Sequence, residues 1–212
     1  MYKKYIKRLL DILISLVGLI FLSPVILIVA ILVRIKIGSP VIFKQERPGK
    51  DGKIFRLYKF RSMSDKKDKN GKLLPDNERL TKFGRILRAT SLDELPELVN
   101  ILKGEMSLIG PRPLAVCYLP YYNEKEKHRH DVRPGLTGLA QINGRNTLNW
   151  EDRFAYDIEY VNNITFKSDL KILFKTFYKV IKKDGVVTRG SGKTIDFDEY
   201  RKNQLKNRGE QE

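Results

Sequence analysis

The sequence has one cysteine, Cys117, two histidines and one tryptophan among its 212 residues. A lone cysteine excludes an internal disulfide, and it leaves too few soft ligands for a Cys-rich structural zinc site. His128 and His130 have no convincing third ligand nearby. Acidic residues are also scarce, 25 Asp+Glu against 41 Lys+Arg, for a formal net charge of +16. That excess calls for an anionic partner, which could be nucleic acid, anionic lipid or a phosphate-bearing substrate. Only nine prolines and 10% aromatics argue against general disorder, and the length fits one medium domain with an appendage. The chain has neither a Walker loop nor a dinucleotide fingerprint, and no internal repeat.

Charge is wholly missing from Ile12 to Val33, ILISLVGLIFLSPVILIVAILV, a run that as an ideal helix measures roughly 33 Å. The run is too long for a signal peptide and passes directly into Arg34 and Lys36 without a small-residue cleavage site. It also lacks the polar face of an ordinary core helix. Membrane insertion follows. Lys3, Lys4, Lys7 and Arg8 lie before the run and Arg34 and Lys36 after it, so the positive-inside tendency draws both ends to the cytoplasmic side. Ser23-Pro24 near the centre offers a kink, because proline removes a backbone donor and the Ser hydroxyl can occupy a freed carbonyl. On these residues alone, a spanning helix and a re-entrant one both stand.

The remaining chain reads as α+β. Pro40–Phe43 and Ile54–Phe60 alternate as short strands, joined through Pro48-Gly49 and Asp51-Gly52. Ser64–Pro75 reads as a mobile polar loop. The spacing of Leu80, Phe83, Ile86 and Leu87 predicts a helix over 77–89, and Glu97–Lys103 predicts another, stopped by Gly104. From Phe166 to Lys183 an apolar stripe of Phe166, Leu170, Leu173, Phe174, Phe177 and Ile181 is flanked by lysines. Such a helix can lie in a membrane interface or face a core. Beyond Gly185 the apolar pattern fades into a loosely held polar tail.

Three clusters carry chemistry. In Ser91-Leu92-Asp93-Glu94-Leu95-Pro96, Ser91 and Glu94 have capping-box spacing. Pro96, however, would then fall at the fifth helical position; placed first instead, it leaves the carboxylates in the preceding turn. Either way Asp93 lies near a positive helix end that favours its ionised form. In Ser107–Pro113, prolines on both sides of Arg112 present a planar guanidinium suited to phosphate. In His128–Arg145, glycines allow close backbone approach to a phosphate, and Arg145 could add charge.

KFRSM at 59–63, SLDELPEL at 91–98, SLIGPRP at 107–113 and RPGLTGLAQINGR at 133–145, behind an apolar segment with Ser23-Pro24, closely resemble the bacterial sugar transferase family. The resemblance is narrower still to small monotopic phosphoglycosyl transferases of the PglC type. It implies a re-entrant membrane helix broken at Ser23-Pro24, with basic flanks, over residues 1–36. A compact cytosolic domain with short strands and interfacial amphipathic helices would fill 37–185, and 186–212 would be a polar tail.

The implied reaction moves a phosphosugar from a UDP-sugar, N-acetylated by similarity, to undecaprenyl phosphate, releasing UMP through a covalent Asp93 intermediate. Glu94 would help catalysis and bind Mg2+. Arg112 would hold phosphate, with Lys59, Arg88 and Arg145 as supporting cations and Asp157 and Gln141 as weaker substrate contacts. Where the family often has Gln, this chain has Glu97, expected to face solvent. The implied location is the bacterial inner membrane, on its cytoplasmic face and against anionic lipid. Nucleic acid then drops out as partner, although a membrane-tethered binding protein without chemistry would share the charge. A homo-oligomer is compatible with the sequence.

Overall fold

The computed structural model describes residues 1–144, 147–182 and 195–209. After a π-helical turn at Tyr2–Ile6, helix α1 runs from Lys7 to Lys36, about 45 Å at the α-helical rise. It continues through Pro24 without interruption. Proline there deprives the Ile20 carbonyl of its usual donor, and the Ser23 hydroxyl supplies one at 2.7 Å. The compensation read from the Ser-Pro pair is therefore present, but inside a continuous helix and not at the break that the resemblance implies, because the Ser23 hydroxyl replaces the donor that proline removes.

Most of α1 is bare. Leu13, Val17, Ile20, Phe21, Leu27, Ile28 and Ile31 are exposed. The covered residues follow a narrow seam at helical spacing, with Asp11 and Ser15 buried toward one end and Val29 and Val33 toward the other. Arg8 donates to the Ile101 and Leu102 carbonyls at 2.6 and 3.0 Å. Asp11 accepts from Ser107 Oγ and the Leu108 amide at 3.1 and 2.9 Å. Leu19 packs on one core cluster, and Ile26, Val29, Ala30 and Val33 pack on another with Phe60, Leu87, Leu92 and Leu95. Both ends of α1 thus touch the same folded body.

Strands β1, Ile42–Pro48, and β2, Ile54–Phe60, pair antiparallel with Ile42 opposite Phe60. The first begins two residues later and runs further than the alternation predicts. The segment read as a mobile polar loop closes on itself through a bridge between Lys67 and Leu73, with Asp68 Oδ1 accepting from the Asn70 and Lys72 amides. The helix predicted over 77–89 is two, α2 at Asp76–Arg79 and α3 at Lys82–Ala89. Leu80 is extended between them, and Thr81 caps α3 by accepting from the Gly84 amide at 2.8 Å. Helix α4, Glu97–Lys103, ends on left-handed Gly104 as its sequence predicts.

Strand β3, Ser107–Ile109, leads to α5, Glu124–Lys127, then to β4, Gly135–Thr137, which pairs parallel with β3. Helices α6, Leu139–Asn143, α7, Trp150–Asn162, and α8, Phe166–Ile181, follow. On α8, Asp169 and Ile172 are buried, while Phe166, Leu170, Phe174 and Phe177 are exposed. Most of the apolar stripe therefore faces away from the domain.

Residues 197–209, expected to be part of a loose tail, form helix α9, Phe197–Gly209. Phe197 is fully buried among Tyr118, Tyr122, Trp150 and Phe154. Phe197 is the main apolar anchor of the helix, because an aromatic side chain buries a large area, and Tyr200 packs on the same cluster.

Candidate active site

The period-two alternation of β2 places Lys59 on the face of Phe55 and Leu57, which are buried against α4. Asn100 of α4 fixes the relation between helix and strand. Its Oδ1 accepts from the Tyr58 amide at 3.0 Å, and its Nδ2 donates to the Arg56 carbonyl at 2.7 Å. Lys59 is thereby aimed at the first turn of α4 and the residues just before it.

Those residues form a 3-10 turn, Leu92–Glu94, entered through left-handed Ser91. Of the two arrangements open in the sequence, the structure adopts the one with the carboxylates ahead of the helix, and Pro96 occupies the N-cap of α4. Ser91 makes no side-chain cap. Glu94 is instead the centre of an ion cluster: its Oε1 accepts from Lys59 Nζ and from Arg112 Nη2, each at 2.8 Å. Burial pushes the Glu94 carboxyl up, but Lys59 and Arg112 outweigh it and hold the group well below the usual range.

Asp93 is buried beside this cluster, and no described residue hydrogen-bonds its carboxylate. Burial first, then the neighbouring Glu94 charge, push it up to about 6, with Lys59, Arg88 and Arg112 opposing. Arg88 is held by Ser62, whose Oγ accepts from Nε at 3.0 Å. A group titrating near 6 is still ionised at neutral pH, yet more basic than an ordinary carboxylate.

Glu97, expected in solvent, is 3% exposed and lies 3.0 Å from Lys59 Nζ. The reason is helical position: as the first residue of α4 it follows the carboxylate turn inward and shares the lysine with Glu94. Burial raises Glu97 to about 7, Lys59 opposing and Glu94 adding to the shift.

The Arg112 loop is built by close backbone packing. The Gly110 amide donates to the Thr137 carbonyl and the Gly135 amide to the Pro111 carbonyl, each at 2.9 Å. A Cβ on Gly135 would fall 2.1 Å from the Gly110 nitrogen, and one on Gly138 would fall 2.2 Å from the Gly110 oxygen. These glycines seat β3 against β4 instead of lining a phosphate cradle. The Arg112 side chain remains 43% exposed, so its fork is not used up by Glu94.

Lys59, Arg88, Asp93, Glu94 and Arg112 thus converge. Asp157 does not join them. It accepts from Arg129 Nη2 at 2.8 Å and Nε at 3.1 Å in a pair with both side chains 2% exposed. Gln141 lies on α6, both its amide atoms buried and without hydrogen-bond partners among the described residues. Arg145 lies outside the described residues. Arg129 stands in the sequence only as one of the basic groups of the His128–Arg145 cluster, and no local signal marks it as the partner of Asp157.

For Mg2+, the available donors are hard oxygens. Both cations on Glu94 bond Oε1, leaving Oε2, and the Asp93 carboxylate stands beside it. No cluster of three or more His, Cys, Asp or Glu able to hold a metal occurs among the described residues. Mg2+ commonly binds one or two carboxylates and takes its other ligands from water and substrate phosphate, so this pair fits it.

The sequence matches the bacterial sugar transferase family over residues 2–183. An uncharacterized sugar transferase of Bacillus subtilis, EpsL, is 55% identical over 181 residues, 85% of this chain and 90% of the relative. The UDP-glucose:undecaprenyl-phosphate glucose-1-phosphate transferase of Klebsiella pneumoniae is 45% identical, over 82% of this chain and 39% of the relative. The undecaprenyl-phosphate galactose phosphotransferase of Salmonella typhimurium is 39% identical, over 86% of this chain and 42% of the relative. The chain therefore spans nearly all of the first relative and well under half of the two longer ones.

Proposed function

Because the chain belongs to the bacterial sugar transferase family, we propose that it is a phosphoglycosyl transferase moving a sugar phosphate from a UDP-sugar to undecaprenyl phosphate. The observation that carries this reading is Asp93, a buried carboxylate that takes no hydrogen bond among the described residues and lies within the field of Lys59, Arg88 and Arg112.

An Asp93 oxygen attacks the sugar-bearing phosphorus, and the bond from that phosphorus to the bridging oxygen breaks, so UMP leaves with the electron pair. The phosphosugar is then an acyl phosphate on Asp93. A terminal oxygen of undecaprenyl phosphate attacks the same phosphorus, the Asp93–phosphorus bond breaks, and the diphosphate-linked sugar departs with Asp93 restored. Two steps let a water-soluble donor and a membrane-bound acceptor use one site in turn. The acceptor is already anionic, so positioning and charge stabilisation are the main demands. Arg112 meets the donor phosphates through its open fork, and Lys59 keeps Glu94 ionised beside Asp93. Glu94 would hold Mg2+, which when bound would supply charge neutralisation on the diphosphate.

The same reading places the protein on the cytoplasmic side of the inner membrane with α1 re-entrant. A straight spanning helix would carry one end across the bilayer, whereas Arg8 and Asp11 near one end and Val29 and Val33 near the other pack on one body. The outward aromatic stripe of α8 supports contact with lipid, and its lysines suit anionic headgroups. Protection of Met1 and of the domain after Lys36 on opposite sides of intact vesicles would overturn re-entry.

The decisive measurement is UMP release from a panel of UDP-sugars with undecaprenyl phosphate and Mg2+. The panel must hold N-acetylated sugars as well as glucose and galactose, the sugars in the relatives' names. With acceptor withheld, labelled phosphosugar stays on the wild-type protein and not on Asp93→Asn. Full turnover by Asp93→Asn would reject the covalent route.

A further inference from the structure

The family match ends at residue 183, yet α9 lies beyond it and reaches toward the Arg112 loop through a continuous set of contacts. Phe197 stacks on Tyr122 with centroids 5.3 Å apart and meets Phe154 edge-on at 4.9 Å. These two rings flank the Arg129 guanidinium at 5.6 and 5.7 Å. Arg129 Nη2 in turn donates to the Arg112 carbonyl at 2.7 Å, while Asp157 accepts from the same nitrogen and from Nε. Further ties hold the segment: Arg201 to Glu126 at 2.5 Å, Trp150 Nε1 to the Ile195 carbonyl at 3.0 Å, and the Tyr200 hydroxyl to Glu151.

We propose that α9 is a clamp that positions Arg112, with Phe197 acting through Arg129. The Arg112 backbone has a proline on each side and is gripped at its carbonyl by a guanidinium that cannot move unless the aromatic box opens. Fixing the backbone leaves the half-exposed side chain to meet phosphate from a set origin. Arg129 and Phe197 are positioning residues, since neither faces the open side of the cluster. This role also accounts for Asp157, which orients Arg129 in place of substrate. The proposal rests on the phosphoglycosyl transferase reading for its kinetic consequence but not for its structural one.

The test compares the full-length chain with Phe197→Ala, Phe197→Leu and Arg129→Lys, in UMP-release kinetics and in hydrogen–deuterium exchange. In Phe197→Ala the KM for the UDP-sugar should rise about tenfold with kcat within about threefold of wild type, the signature of lost substrate placement. Exchange should quicken over 107–113 and stay unchanged in α4. Phe197→Leu, which refills the box, should restore KM. Arg129→Lys, which keeps the charge but loses the planar fork, should reproduce the KM shift, and it carries the test if Phe197→Ala does not fold. A wild-type KM in Arg129→Lys, or equal loss of kcat with faster exchange throughout α4, overturns the clamp. If wild-type protein releases UMP from no sugar, the functional reading fails on its own. The clamp is then judged by exchange alone, and an unchanged 107–113 segment rejects it.

Discussion

Two buried charge clusters lie on either side of Arg112, and they are built oppositely. Behind the Arg112 carbonyl, Arg129 and Asp157 are each 2% exposed, joined through two hydrogen bonds and boxed by aromatic rings. In front, Lys59 serves two carboxylates, Arg112 stays 43% exposed, and Asp93 takes no hydrogen bond among the described residues. The rear pair has its charge matched and its fork occupied. The front cluster crowds like charges and leaves oxygens and donors unspent. Leaving a buried charge unmatched costs stability, so the mismatch in front fits the proposed catalytic role.

Replacing Asp93, the proposed nucleophile, should have the largest effect. Asp93→Asn keeps the volume and loses the attacking oxygen, and turnover should fall by at least about 10³-fold, measured as UMP release under saturating substrates. The next largest effect should come from breaking the rear pair. Asp157→Ala leaves Arg129 buried and unpaired, which should cost about 3–5 kcal/mol in denaturant unfolding. Arg129→Met with Asp157→Leu should recover much of that stability. If Asp157→Ala leaves stability intact, the two clusters are not different in kind.

A smaller effect concerns pH. Asp93 is held up to about 6, so its attacking form is present above that value, and turnover should fall about tenfold per pH unit below it. In Glu94→Gln the midpoint should move down, because the like charge that helps raise it is gone. The smallest effect is on stability. Glu97 is raised to about 7, so between its ordinary value and 7 the folded chain binds a proton more tightly than the unfolded one, and stability declines as pH rises through that window. Glu97→Gln should flatten the decline, gaining Tm relative to wild type at pH 8 more than at pH 5.

Much of this was legible in the sequence where a local rule governs. Helix α4 and its Gly104 stop and strand β2 follow from period and turn chemistry, whereas the grouping of Lys59 and Arg112 with the Asp93-Glu94 pair follows only from the family resemblance. The misreadings come from tertiary choices. Thr81 caps α3 where the spacing predicts a single helix, and Gly84, the residue whose amide it accepts from, packs closely on the Ser62 carbonyl. Ser91 and Glu94 have capping-box spacing, but two cations outbid the backbone amide for Glu94. Glu97 and Arg129 are ordinary surface residue types, drawn inward by partners distant in sequence. Among the described residues of α9, Phe197 is the one buried apolar side chain and Tyr200 joins its cluster one turn later, too short a pattern to announce the helix.

Helix α1 has one more consequence. A helix held at a single end is a tether, and the domain beyond it can swing. Here Arg8 and Asp11 secure one end and Val29 and Val33 the other, on the same domain that carries Asp93. That makes α1 a keel: the bare side of the helix and the proposed nucleophile share one frame, and whatever depth the helix takes sets the height of Asp93. Lengthening the connection at Ile37–Val41 would therefore not lift the site, whereas shifting the apolar run by one turn would.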